Sequence, residues 1–268
     1  MELYRQLITI QKIRGVFVLV YNHSVEIKDA YEEIFGNIQK VLIVLAHPDD
    51  MEIICGGLVA RLLESHKNVR LVVTTNGGKG TKDKTGISEA EFGKARVTEQ
   101  IAGAKELGIP DTEVFNLELP DGEVETTIAN IEKIVFHIRQ FKPELVITHN
   151  PHDLIIEYYD GSFWVNHRDH RNTALLTLDA MYPYSRDTNF FPAQLETVQT
   201  HKVTKLLISD SYTKKELKKF EVTKQSDKKR KALAQHISAI KPEAVEGYLD
   251  EIKSDTGYFE PLTYYEIY

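Results

Sequence analysis

Val41-Leu42-Ile43-Val44-Leu45-Ala46-His47-Pro48-Asp49-Asp50 sets six apolar residues against an imidazole and two carboxylates. An apolar run without polar alternation belongs to a strand covered on both faces, and in open α/β sheets such strands place ligands just beyond their carboxyl ends. The stretch predicts a buried parallel strand with a site at its edge. Imidazole and carboxylate both bind zinc, and Pro48 restricts the backbone between His47 and Asp50, so that both side chains can fan toward one ion. Asp49 is then left beside the ion without binding it, the usual place of a general base.

Such a site needs at least one more ligand, and Asn166-His167-Arg168-Asp169-His170-Arg171 supplies candidates. His167 and His170 are three apart and share a face at the start of a helix. Asp169 between them can orient an imidazole by accepting its second N–H. His47, Asp50 and His170 make three protein ligands, the number that leaves a catalytic zinc open to water, whereas structural zinc is closed by four ligands, usually with several thiolates. The chain has one cysteine. Cys55 reads as a small core residue, excludes an intramolecular disulfide and agrees with a reducing, cytoplasmic setting.

These residues resemble the LmbE/PIG-L family of zinc-dependent de-N-acetylases. The resemblance is carried by His47-Pro48-Asp49-Asp50-Met51-Glu52, then Cys55-Gly56-Gly57, with His167-Arg168-Asp169-His170-Arg171 downstream, and it covers residues 38 to 268. It implies Asp49 as general base and His47, Asp50 and His170 as ligands of one zinc per chain. It further implies His167 as the polarising or proton-donating histidine and Asp169 as the carboxylate partner of His167. Arg168 departs from the family's usual proline, at a spacer position. The substrate implied is an N-acetylated amino sugar or conjugate, and the assembly a homo-oligomer, a trimer or hexamer. The division implied is an N-terminal extension, 1–37, packed on a deacetylase domain, 38–268.

The expected fold is a single doubly wound, Rossmann-like α/β domain with a mostly parallel sheet and helices on both faces. With 268 residues and 42% hydrophobic composition the chain can bury one sizeable core. A net charge of -7 offers no global attraction for nucleic acid or anionic lipid. Val16–Val20 is far too short to span a bilayer. Asn76-Gly77-Gly78-Lys79-Gly80-Thr81 matches no phosphate-binding fingerprint and reads as a wall of the pocket.

A helix over 92–108 carries Arg96 and Glu99, either a surface ion pair or, by the resemblance, an arginine turned to substrate. Asp121 in Leu119-Pro120-Asp121-Gly122 is either a turn former or a hydroxyl-binding group. His149 and His152 read as pocket wall, and His236, on a helix over 227–240, as pocket lining by the resemblance. His23, His66, His137 and His201 receive no role. The aromatic stretch 153–165, with Tyr158, Tyr159, Phe163 and Trp164, suits a lid, a subunit contact or the apolar face of a sugar. The lysine-rich run 214–231 reads as a solvated face, and the tail Tyr264–Glu266 as docked on the core.

The expected activity is removal of an acetyl group from the nitrogen of an N-acetylglucosamine-containing small molecule by metal-activated water. The competing readings are an amidase for another N-acyl or thiol-conjugate substrate, a non-catalytic Rossmann-type sugar- or nucleotide-binding module, and a two-metal phosphoesterase.

Overall fold

The stretch quoted first forms the middle of a sheet flanked by helices. The computed structural model describes residues 7–13, 16–22, 27–80, 86–158, 161–210 and 216–268, the first two stretches as backbone. His23, Thr81, Tyr159 and Lys214, named above, lie outside the described residues. In chain order the elements are β1 (Leu7–Ile13), β2 (Val16–Asn22), α1 (Tyr31–Phe35), β3 (Lys40–Leu45), α2 (Asp50–Glu64), β4 (Asn68–Thr75), α3 (Glu89–Leu107), β5 (Val114–Leu119), α4 (Ile128–Phe141), β6 (Leu145–Thr148), β7 (Ile155–Glu157), β8 (Phe163–Val165), α5 (Arg168–Asp179), β9 (Lys205–Ile208), β10 (Leu217–Glu221), α6 (Ser226–Leu233), α7 (Val245–Asp250), β11 (Lys253–Ser254) and β12 (Gly257–Glu266).

The central sheet runs β10-β12-β9-β6-β3-β4-β5, with β11 paired to β12. Strands β5, β4, β3, β6 and β9 are parallel, with Ile43 opposite Leu71 on one side and Ile147 on the other. β12 and β10 extend it antiparallel. β1 and β2 form a separate antiparallel hairpin, as do β7 and β8.

Successive side chains of a strand point to opposite faces, and β3 shows why its run is uniformly apolar. Val41, Ile43 and Leu45 enter one core with Leu58, Val59 and Leu62 of α2. Leu42 and Val44 enter a second core with Ile134, Val135 and Ile138 of α4 and Leu176 of α5. Tyr31, Ile34 and Phe35 of α1 belong to the first. From β3 the chain builds β4 and β5 to one side, then crosses to β6 and β9 on the other. The carboxyl ends of β3 and β6 therefore flank the switch point where doubly wound folds open a crevice.

Several sequence expectations change in detail. Gly56 and Gly57 lie inside α2, which starts at Asp50 and is interrupted at Cys55 (φ -145°, ψ 23°). A Cβ on Gly57 would sit 2.7 Å from Val222 Cβ, so the glycine serves a close approach to the chain after β10 rather than to β3. Tyr264–Glu266 is the end of β12, hydrogen-bonded within the sheet beside β9. The helix expected over 227–240 stops at Leu233, and Ser238 beyond it gives its N–H and hydroxyl to the Glu99 carboxylate. His137, given no role, is buried beside the rings of Phe115 and Phe136. Burial and the nearby Arg70 charge push its imidazole down to about 4.

The lysine-rich run is not wholly a solvated face, because Lys229 is fully buried against Glu260 at 2.7 Å. The interruption of α2 leaves two helix-start N–H groups, Gly57 and Leu58, and both donate to the Glu260 carboxylate at 2.8 and 2.7 Å. Lys229 Nζ also donates to Ile53 O at 2.8 Å. Removing one member leaves an uncompensated buried charge. Lys229→Met should therefore lower the unfolding free energy by about 3–5 kcal/mol, read from the urea midpoint. A loss under about 1 kcal/mol would show that the pair does not support the interrupted helix.

Candidate metal centre and active site

Between the end of β3 and the start of α2 the chain turns within four residues, and His47 N–H donates to Asp50 Oδ2 at 2.7 Å, closing the turn. His47 Nδ1 lies 3.2 Å from His170 Nε2 and 3.5 Å from Asp50 Oδ2, while His170 Nε2 lies 3.4 Å from Asp50 Oδ1. Ligand atoms around a tetrahedral zinc with bonds near 2.0–2.1 Å stand about 3.3–3.4 Å apart. The three residues present a triangle of that size, brought together from one turn and, across 123 residues, the first turn of α5.

Asp50 is held well below the usual carboxylate range, since the neighbouring His170 and His149 outweigh the upward push of burial. Burial disfavours charge on His47, but Asp121, Asp169 and Asp50 outweigh it and hold its pKa well above the ordinary value. The far nitrogen, Nε2, is 3.3 Å from Asp121 Oδ1 and 3.5 Å from Asp169 Oδ2. Carboxylates there keep the proton on Nε2 and aim the Nδ1 lone pair into the triangle.

Asp169 thus has a different partner from the one expected. Its carboxylate faces His47, not His167, and also accepts from Gly122 N at 2.6 Å and Val124 N at 3.1 Å. The physical reason is its complete burial against the 121–124 turn, where two backbone N–H groups fix its direction. Its own backbone N–H donates to His167 Nδ1 at 3.2 Å, making His167 the N-cap of α5. Asp169→Asn should weaken metal affinity about 10- to 100-fold by freeing the His47 ring. Competition with a metallochromic chelator would read this, and an unchanged affinity would remove Asp169 from that role.

Asp121 combines its two expected readings differently: it sits in the turn, takes Lys79 N–H at 2.8 Å and faces His47. His149 is fully buried and stacks on His170 with centroids 3.9 Å apart. Its Nε2 lies 3.0 Å from Ala46 N and 3.2 Å from Asp50 Oδ2. Ligand-type atoms also gather within 4.8 Å in Asp50/His149/His170, in His47/His167/His170 and in His47/Asp121/Asp169, groups that overlap on the triangle's own histidines. His152 is exposed and lines neither cleft at the site.

Asp49 lies outside the triangle, and its backbone is strained, at φ 111° in a region L residues rarely adopt. Such conformations cost on the order of 1–3 kcal/mol and persist where the surroundings enforce them. Its carboxyl is pushed up to about 6, chiefly by burial and further by Asp50, against the opposing Arg96 charge. Arg96 does not pair with Glu99 on a surface. It is buried, with Nη2 on Asp49 Oδ2 at 2.8 Å and on Pro48 O, and Nη1 on Gly77 O at 3.1 Å. This explains the glycine-rich loop. A Cβ on Gly77, at φ +65°, would lie 2.2 Å from Arg96 Nη1, and one on Gly80 3.1 Å away. The loop wraps a guanidinium, and no phosphate cradle is required.

Two clefts meet at the centre, and Trp164 and His170 line both. One, of about 360 Å³, is lined by His47, Asp49, Arg96, Asp121 and His167. The other, of about 640 Å³, is lined by Asp50, Tyr158, Tyr248, Glu251 and Ile53. Trp164 reaches the centre from the β7–β8 ribbon, where it is paired with the buried Ile156. His236 lines neither cleft. It is fully buried behind the turn, 3.2 Å from Glu52 Oε2. Sequence reasoning gave no role to Gln100, Glu52 or Tyr248, and no spacing signal marks them.

A doubly wound sheet whose switch point holds a His–Asp–His triangle, with a further carboxylate and a buried guanidinium beside it, defines an α/β protein with a candidate metal-binding site at that point. The chain belongs to the PIG-L family, since the family model described as GlcNAc-PI de-N-acetylase matches residues 42–181. It is 31% identical over 149 residues to a diacetylchitobiose deacetylase of Thermococcus kodakarensis. That match spans 56% of this chain and 51%, about half, of the curated relative. The fold resembles the N,N'-diacetylchitobiose deacetylase of Pyrococcus horikoshii, with TM-score 0.73, 22% identity and coverage of 88% of this chain and 86% of that one. It also resembles GalB, the 4-carboxy-2-hydroxymuconate hydratase of Pseudomonas putida, with TM-score 0.67, 18% identity and coverage of 84% and 95%. Fold likeness alone therefore does not choose the reaction. Among the described residues no helix is long and apolar enough to cross a membrane.

Proposed function

We propose that this chain is a zinc-dependent N-deacetylase acting on an N-acetylglucosamine-containing small molecule. The observation that carries the reading is the zinc-sized triangle of His47, Asp50 and His170, with the unligated Asp49 carboxylate in the adjoining cleft. Zinc held there would supply a water of lowered pKa, near 7, and polarise the amide carbonyl. The donor set of two imidazoles and one carboxylate suits it.

The chain's own groups perform the rest. Asp49 takes the proton from the attacking water and passes it to the departing nitrogen, a role suited to a carboxyl raised to about 6. His167 is kept neutral, since burial and the neighbouring His47 lower its pKa. With Nδ1 engaged by Asp169 N–H, it carries its proton on Nε2 and donates that N–H to the carbonyl oxygen as negative charge grows. On this reading it is Asp49, once protonated, that protonates the amine. Arg96 fixes the base, and Asp121 fixes the ring of His47. Trp164 offers an aromatic face to the apolar side of a sugar.

The turn after β3 holds His-Pro-Asp-Asp where a dinucleotide-binding fold needs glycines, which counts against the binding-module reading. The same proposal carries a deacetylase domain over 38–268 with residues 1–37 as its extension, a homo-oligomer of this chain and a cytoplasmic setting. The test is acetate release from N-acetylglucosamine, diacetylchitobiose, N-acetylglucosaminides and N-acetylcysteine conjugates, with zinc-loaded and chelated protein. Zinc-dependent release from the amino-sugar compounds is expected. Release from the thiol conjugates alone would move the substrate class, and no release from any compound would overturn the reading.

A further inference from the structure

The Pro48–Asp49 peptide is gripped at both ends by residues one turn apart on α3. Arg96 Nη2 donates to Pro48 O, and Asp49 N–H donates to Gln100 Oε1 at 3.0 Å. Gln100 is 2% exposed, and its own Nε2 donates to Glu52 Oε1 at 2.8 Å. Glu52 is fully buried and lies three residues beyond Asp49 on α2. Gln100 thus ties the last residue of the turn to the first turn of the helix through one side-chain amide.

The packing leaves that amide no alternative place. A Cβ on Gly103, the next residue but two on α3, would lie 2.7 Å from Glu52 Oε1 and 2.9 Å from His236 Nε2.

What the grip prevents follows from backbone geometry. Turning the Pro48–Asp49 peptide over by about 180° would carry φ of Asp49 from 111° to about -70°, the ordinary region for an L residue at a helix start. Aspartate there usually turns its carboxylate onto the N–H groups of the first helical turn. Here Asp49 is the residue preceding α2, yet makes no such bond and gives its carboxylate to Arg96.

We infer that Gln100 is the positioning residue of the general base: by holding Asp49 N–H it blocks the peptide flip and keeps the Asp49 carboxylate on Arg96 in the cleft. The inference rests on the role proposed for Asp49, but its structural half stands apart from any activity.

The test uses Gln100→Leu, which keeps the volume and removes the acceptor, with Gln100→Met as the second variant should the first not fold. In crystals of the variant, Asp49 should show negative φ with its carboxylate off Arg96. An unchanged left-handed Asp49 would overturn the inference whether or not the protein is active. Kinetically, kcat should fall about ten- to a hundredfold through misplacement of the base, with KM and zinc content unchanged. In an Asp49→Asn background the same substitution should change kcat less than twofold, because its effect passes through the carboxylate. Loss of zinc matching His170→Ala, or an equal loss of kcat in both backgrounds, would contradict the assignment. Should the unsubstituted protein release no acetate from any compound, the proposed function fails and the crystallographic comparison alone decides the clamp.

Discussion

Asp49→Asn should keep one zinc per chain and lose about 10²- to 10⁴-fold in kcat, the usual contribution of a general base. Asparagine preserves the shape of the side chain and the backbone N–H that Gln100 holds, so the turn should keep its conformation. What is lost is proton acceptance. Because the carboxyl is raised to about 6, kcat/KM of the unsubstituted protein should decline as pH falls through that value. A protonated Asp49 cannot take a proton from water, so the sign of this limb is fixed. The limb at that value should vanish in Asp49→Asn. A pH–rate profile with parallel zinc analysis reads both effects. Loss of zinc from this variant would place Asp49 among the ligands and invert its role with Asp50.

His170→Ala should remove the metal and with it nearly all activity, while the fold remains. The ring is presented by the first turn of α5, while Leu176 further along the helix and Ala180 just beyond it pack into the second core. Its loss opens the triangle on the side covered by His149, whose Nε2 lies 3.2 Å from Asp50 Oδ2. Zinc per chain should drop from one to well below one, and the far-ultraviolet circular dichroism should match the parent. Full zinc retention would show that the ion is held elsewhere.

The parts of this protein visible in its sequence were those whose partners lie nearby in the chain or whose pattern is uniform. The apolar run 41–45 can only be a strand covered on both faces. His47, Pro48, Asp49 and Asp50 carry their chemistry within a single turn. His170 was legible because the His167–His170 spacing marks a helix start. What the sequence hid depends on distant neighbours. Asp169 turns to His47 because the N–H groups of Gly122 and Val124, more than 40 residues earlier, fix its carboxylate. Lys229 sits in a run of exposed lysines, and only Glu260, 31 residues later, makes its burial tolerable. The antiparallel strands β10 and β12 mix lysines, tyrosines and acids and give no clean period. Gln100 is one amide on an amphipathic helix, and its importance appears only when the backbone of Asp49 is seen at φ 111°.

The central claim is that one ion is held by His47, Asp50 and His170 while Asp49 stays free beside it. Anomalous diffraction at the zinc edge, from crystals of zinc-loaded protein, addresses it most directly. One peak per chain is predicted, at about 2.0–2.1 Å from His47 Nδ1, His170 Nε2 and an Asp50 oxygen, with the Asp49 carboxylate still on Arg96. A peak bonded to Asp49 or to His149, or two peaks sharing these residues, would contradict the account.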